Sequence, residues 1–401
     1  MKVLGDLTVV SFEQAVAAPL ASRHLADLGA RVIKVERPEG DFARYYDGTV
    51  HGVSSYFAWL NRSKLSLTLD LKSPHAPALV ERLTRHADVV IQNLGPSTLD
   101  RLGYDLTAMR RDNPRLVTCS ISGYGDGGPY TERKAYDLLL QAESGLVAIN
   151  GSPEAPARVG ISIGDIAAGM YAFTAILAAL IVRGRTGSGT HVEVTILEAL
   201  AEWLGAPWYH AAYGEAPVRA GTRHPTIAPY GEFRCGDGKL VFLSIQNERE
   251  WKRLCSAVLG RPALATDPRF VDNPSRVAHR EPLRAAIEAR LATSTSDRVK
   301  ALLERARIAY ADLRSVVELA EHPQLVARHR LTEVASRGGP VRAFLPPFDI
   351  AGVAPTMGAI PEQGEHTYAL LQELGYSETE IAALRNDAAV GTAQDAEGGA
   401  R

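Results

Sequence analysis

The stretch that most constrains this chain is Gly164-Asp165 followed by the apolar run Ile166–Ile181, where nearly every residue is Ala, Ile, Leu, Met, Phe or Tyr. A helix that is apolar on all faces belongs in a core. About sixteen residues rise only ~24 Å, short of the ~30 Å hydrocarbon layer, so the run predicts a core helix rather than a membrane span. Gly164-Asp165 stands where the N-cap belongs. An Asp there accepts hydrogen bonds from free amides, worth about 1 kcal/mol. The same carboxylate has a second use as a nucleophile. The positive helix end would hold it ionised, by up to about 2 kcal/mol, and the neighbouring glycine leaves room for a substrate. Spacing alone leaves both readings open.

Length and composition narrow the class. A chain of 401 residues predicts two or three domains. Apolar content of 46% with 22% charged residues suits a soluble globular protein. A net charge of −2 provides no basic field for nucleic acid or an anionic membrane, and neither partner is expected. Met1–Asp6 lacks a signal-peptide core, so a cytoplasmic location is expected. Cys119, Cys235 and Cys255 are too scattered for a disulfide framework and read as small buried hydrophobes.

In chain order, Leu7–Phe12 reads as a buried strand, Pro19–Leu28 as a helix and Arg31–Glu36 as the next strand. This is the start of a parallel, doubly wound sheet. The first turn, Glu13–Ala18, has no glycine. Glu36 falls where a ribose-binding acid would sit, but Arg37-Pro38 after it suits a phosphate better. Leu65–Leu71 alternates like a half-buried strand, flanked by Lys64 and Lys72 as surface lysines. Ala87–Asn93 and Leu116–Ser122 are further strands, whose C-terminal edge is the ligand edge of such sheets. Gly123–Gly128 formally satisfies GxGxxG. No apolar helix follows it, so it reads as a substrate loop, and no NAD is expected. No histidine spacing or HExxH suggests a metal. Asp137 opens the next helix as a first-turn acid. Arg183–Thr190 reads as a glycine-rich turn. Tyr230–Cys235 and Leu240–Ile245 form a hairpin, with amphipathic helices at 248–259, 276–291 and 296–305.

Several of these stretches, in consistent order over about residues 1–200, together resemble the family III CoA-transferases (CaiB/BaiF), which also hold α-methylacyl-CoA racemases. They are Leu28–Pro38, Asn61–Lys72, Asp88–Asn93 with Leu99–Gly103, Gly123–Tyr130, Gly164-Asp165 and Arg185–Gly189. The resemblance implies an α/β fold: a Rossmann-like large domain with a parallel sheet from both chain ends, a smaller α+β domain, and an interlocked homodimer. Expected bounds are 1–205 for the first part of the large domain, 206–229 for a linker, and 230–325 for the small domain. Residues 326–387 would return to the large domain, and 388–401 would be a disordered tail. It implies Asp165 as nucleophile toward an acyl-CoA, with coenzyme A as substrate and carrier. Backbone amides of a glycine loop would steady the oxyanion. Arg37, Lys72, Arg101 and Lys134 would meet the CoA phosphates and adenine, with Leu69, Asn93 and Leu94 along the nucleotide and pantetheine path. Val16, Tyr136, Asp137, Arg223 and His224 would meet the acid.

Two departures from the family sharpen this. Racemases of the group resemble one another in a Gly-His-Asp where this chain has Ala135-Tyr136-Asp137. A 1,1-proton transfer needs a base on each face of the α-carbon, and a phenol near pKa 10 is a poor one. Transferase is therefore favoured over racemase or isomerase. Formyl-CoA transferases resemble one another in a run of glycines after the linker. Arg223–Pro229 stands in that place, which turns the expectation from oxalate or formate toward succinyl-CoA with mesaconate, citramalate or another C4–C5 acid.

Overall fold

A computed structural model describes residues 2–391. The chain divides into two units. One takes residues up to 144, 159–205 and those from 324 on, and the other takes 145–158 and 206–323. Residues 145–158 thus group with the second unit rather than with the first.

The first unit is built on a seven-stranded sheet. Its strands are β1 (Thr8–Phe12), β2 (Arg31–Glu36), β3 (Lys64–Leu69), β4 (Val89–Gln92), β5 (Val117–Ser122) and β6 (His191–Thr195), with β12 (Val390–Gly391) at one edge. The order is β12-β3-β2-β1-β4-β5-β6. The pairings from β3 across to β6 are parallel, and β12 lies antiparallel on β3 with Val390 opposite Leu69. The chain reverses direction of travel between β1 and β4, the switch point where open α/β sheets bind ligands beyond their strand ends. Short β10 (Leu331–Val334) and β11 (Val341–Phe344) form a separate hairpin.

Period-2 alternation gives the two sheet faces different jobs. Val10, Phe12, Ile33, Val35, Leu67 and Leu69 point into one apolar core with Leu79, Leu83, Leu371 and Leu384. The alternate residues Ser11, Lys34, Glu36, Ser66 and Thr68 are also fully buried. The alternation in 65–71 was expected to mark a strand with one face in water. Instead both faces are covered, and Lys64, expected on the surface, is 2% exposed. The polar residues are kept inside by pairing with one another, as buried charge must be.

The helix that follows β1, α1 (Ala17–Asp27), is buried along its whole length. It packs on the central helix Ile163–Thr186, which is longer than the apolar run suggested. Arg183 and Arg185 belong to its last turn, where cations suit the helix C-terminus, and Gly187 closes it in the left-handed conformation. At 24 residues it is about 36 Å long. The length argument against a membrane span therefore fails, since length and composition alone would allow one. Only one face is buried, by Gly164, Ala167, Ala168, Ala172, Ile176 and Ala179, whereas Ile181 and Val182 are 58% and 47% exposed in the single chain.

The start of the tail expected from residue 388 is ordered on the sheet. Ala389 and Val390 are buried, and Asp70 N donates to Ala389 O at 2.9 Å. Residues 392–401 lie outside the described residues.

In the second unit, β7 (Tyr230–Arg234), β8 (Leu240–Ser244) and β9 (Ala309–Asp312) make an antiparallel sheet. Trp251, Phe270, Ile287, Leu291 and Leu303 pack with it. The expected hairpin is there, with a third strand added. The stretch read as a linker begins with a helix, Gly205–Tyr213.

Candidate active site

Asp165 lies in the first turn of the central helix, not at its N-cap. The cap is Ser162, whose side chain makes no capping bond. That task falls to Asp137, at the start of the helix Asp137–Glu143. Asp137 Oδ1 accepts from the amides of Gly164 at 2.7 Å and Asp165 at 3.3 Å. Its Oδ2 accepts from Gln141 Nε2 at 2.7 Å. Gly164 makes this approach possible, because a Cβ there would meet Asp137 Oδ1 at 3.1 Å and Ile196 Cγ2 at 2.8 Å. Asp137 was expected to meet the acid substrate, yet its carboxylate is spent on the helix.

The consequence for Asp165 is the reverse of the sequence-based expectation. The helix end was expected to hold it ionised. Desolvation, and then the neighbouring Asp137 carboxylate, push its pKa up to about 7. Among the described residues none donates a hydrogen bond to its carboxylate. A half-buried acid with a like charge beside it and, among the described residues, no cation paired with it is the sort of perturbed group that marks chemistry rather than stability.

Aromatic residues missed in the sequence lie at the start of the same helix. Tyr46 is pushed up to about 12, first by burial and then by the charges of Asp41 and Asp165 and by Tyr136. Tyr46 meets Tyr56 edge-on at 5.5 Å, and Tyr56 reaches Ser162 Oγ at 3.4 Å. Tyr136 is 64% exposed. Val16 is buried in a cluster that includes Leu20, Leu60, Tyr56, Ile166 and Met170, so it walls the same helix. Nothing in the spacing of Tyr46 or Tyr56 could have flagged them.

The expected basic CoA residues come after the C-terminal ends of strands in the chain. Arg37 follows β2, Lys72 follows β3, and Arg101 and Lys134 follow β4 and β5; all four are exposed. Arg37 Nε donates to Gly40 O at 2.9 Å, and Arg101 sits 3.8 Å from Glu132. Leu69 has its side chain in the core, which leaves only its backbone for a ligand. Asn93 is spent on the protein at the switch point: its Oδ1 accepts from Gln14 N and its Nδ2 donates to Gln14 O, both at 2.9 Å. Leu94 borders a cavity of about 190 Å³ with Ser97, Thr98, Ser120, Asp126 and His191.

Glu36 is not available for a ribose. It is fully buried, takes two bonds from Arg44 and one from Ser66, and is held at about 2 because Arg44 and Lys34 outweigh the cost of burial. Three amides of the glycine loop are also spent within the protein. Gly125 N donates to Ser122 Oγ, Asp126 N to Glu193 Oε1 and Gly128 N to Thr131 Oγ1.

Arg223 and His224 belong to the second unit. Arg223 pairs with Glu281 at 2.7 Å, and His224 stacks on Tyr230 at 5.2 Å. The cavity beside Arg223, Arg280 and Arg284 is about 20 Å³, the size of one water.

Known proteins resemble this chain in sequence and fold. Residues 4–367 match the model of CoA-transferase family III. The chain is 37% identical to the acetyl-CoA:oxalate CoA-transferase of Acetobacter aceti, over 89% of this chain and 93% of that protein. It is 34% identical to the succinate–glutarate CoA-transferase of Agrobacterium fabrum, over 92% and 95%. Among solved structures it is similar to a CaiB/BaiF family protein from Brucella suis, with a TM-score of 0.81, 34% identity and coverage of 92% and 99%. The chain belongs to CoA-transferase family III and is a CoA-transferase.

Proposed function

We propose that the enzyme moves CoA from a dicarboxylyl-CoA donor, succinyl-CoA first, to a C4–C5 acid such as mesaconate or citramalate, through an aspartyl-CoA thioester on Asp165. The observation that carries this reading is the Asp165 carboxyl itself, half-buried, without a donor among the described residues and raised to about 7. Its ionised oxygen attacks the thioester carbonyl. The C–S bond breaks, which gives a mixed anhydride and CoA thiolate. The thiolate attacks the aspartyl carbonyl and expels the donor acid as its carboxylate. The acceptor carboxylate then attacks the aspartyl thioester, and the released thiolate takes the acceptor acyl group and frees Asp165. Each step exchanges one activated acyl for another, and a desolvated site protects it from water.

Arg37, Lys72, Arg101 and Lys134 are assigned to the CoA phosphates, and Asn93 and Leu94 to its path. Arg223 and His224 are assigned to the second carboxylate of the acid. That assignment requires Arg223 to exchange Glu281 for substrate. One relative is named for acetyl-CoA with oxalate and the other for succinate with glutarate, so each name includes a dicarboxylate, which supports a diacid on at least one side of the transfer here. The exposed apolar face of the central helix supports a second chain wrapped on it, as an interlocked homodimer, and a cytoplasmic location fits CoA esters as substrates.

The test is trapping. The enzyme is mixed with succinyl-CoA, then with hydroxylamine, and digested. A hydroxamate mass on the Asp165 peptide is expected. Turnover with the label on any other residue, or none, would end the Asp165 assignment. A panel of acceptors including oxalate, mesaconate, citramalate and acetate then ranks the acids, and a monocarboxylate at the top would reject the diacid reading.

A further inference from the structure

The turn between β1 and α1 holds an unusual conformation for its sequence. Ala15 has φ of +60°, a region that disfavours every residue with a Cβ. Bonds on both flanks keep it there. Asn93 takes both Gln14 N and Gln14 O from one side. From the other, Asp41 Oδ1 accepts from Ala15 N at 3.1 Å and from Ala43 N at 2.9 Å.

Asp41 is in turn fixed by a buried ion network. Its Oδ2 accepts from Lys34 Nζ at 2.7 Å, and its own amide donates to Glu36 Oε2 at 3.1 Å. Lys34 Nζ lies 3.5 Å from Glu13 Oε1, which accepts from Lys64 Nζ at 2.6 Å. Both lysine side chains and those of Glu13 and Asp41 are 0% exposed. A network so costly to desolvate locks one arrangement of its members, because any other would leave a charge unpaired.

The turn it locks lies against the helix that carries Asp165. Val16 packs on Ile166 and Met170, one residue and five residues past Asp165. Ala17 O comes so close to Gly169 that a Cβ there would meet it at 2.6 Å. We infer that Asp41 is a positioning residue for the transfer reaction, clamping the Gln14–Val16 turn in its left-handed conformation beside the nucleophile's helix. This rests on the reading of Asp165 given above.

The test combines hydrogen exchange with kinetics on the full chain. Asp41→Asn keeps the side-chain shape and an acceptor oxygen but removes the charge that Lys34 holds. Amide exchange in the Gln14–Val16 peptide is expected to rise at least tenfold. The kcat for CoA transfer is expected to fall at least tenfold, with KM for acyl-CoA within threefold. Adding Ala15→Gly, which removes the penalty at positive φ, should recover much of kcat without restoring thermal stability. Ala15→Val is the second probe. It leaves every buried charge paired but opposes the left-handed turn, and should lower kcat in the same way. Unchanged exchange in folded Asp41→Asn, or normal kcat in Ala15→Val, would overturn the clamp. Labelling of a residue other than Asp165 in the trapping experiment would instead overturn the site reading, with the exchange result intact.

Discussion

Two groups of carboxylates sit within one unit of this protein and are treated in opposite ways. Glu13, Glu36 and Asp41, under the β1–α1 turn, are each matched to a cation: Lys64, Arg44 and Lys34. Burial alone would raise Glu13, yet the Lys64 and Lys34 ammoniums bring it below its ordinary value. Asp165, by contrast, faces another acid, and burial and Asp137 drive it up to about 7. The lysines divide in the same manner. Lys34 sits among three acids and is raised despite burial, whereas Lys64 is lowered to about 8 by burial and by Lys34. Paired charge builds the frame. An acid left without a cation on that frame is ready for chemistry, because its ionised form gains by reacting.

The sharpest way to break this contrast is Asp165→Asn. Transfer activity should fall by roughly 10³-fold or more, as when a covalent nucleophile is removed. The fold should not suffer. A carboxyl whose folded pKa is about 7, against an unfolded value near 3.8, disfavours the folded state increasingly as pH rises from 4 through 7. Asparagine removes that penalty, so melting at pH 8 should occur at the same temperature or higher. A large loss of stability would place Asp165 with the structural group instead.

Lys34→Met attacks the other side of the comparison. It leaves Asp41 and Glu13 buried with too little positive charge, and a broken buried pair costs about 3–5 kcal/mol. Urea unfolding at pH 7 should show it. The deficit should narrow as pH falls toward 5, since protonation relieves acids that have lost their cation. A variant as stable as the parent would mean that the network is incidental.

How much of this was legible depended on range. The parallel sheet and the place of Asp165 at the head of an apolar helix followed from local pattern, because strands and helix starts are written in adjacent residues. The ion network was half visible. Lys34 and Glu36 interrupt an apolar strand sequence, and such charges need partners when buried. Their partners Asp41 and Glu13 are 5 to 21 positions away, Glu13 in turn is met by Lys64 51 positions on, and no period links them. Asp137 was read correctly as a first-turn acid, but of its own helix. That it caps a different helix 27 residues on could not be seen without the fold.

The smallest effect separates the two causes of the Asp165 shift. Asp137→Asn keeps an oxygen for the amides of Gly164 and Asp165, so the cap should survive and stability should change by about 1 kcal/mol or less. It removes the like charge and leaves the larger cause, desolvation, in place. In the parent, kcat/KM should rise with pH through about 7, because only ionised Asp165 attacks, and this ratio reports groups of the free enzyme. In the variant that limb should move to lower pH by roughly one unit, the scale of a single neighbouring charge. At pH 6 the variant would then be the faster enzyme. A limb that stays put would show that burial alone sets the acidity of Asp165, and a limb that moves upward would mean that Asp137 steadies the attacking carboxylate rather than opposing it.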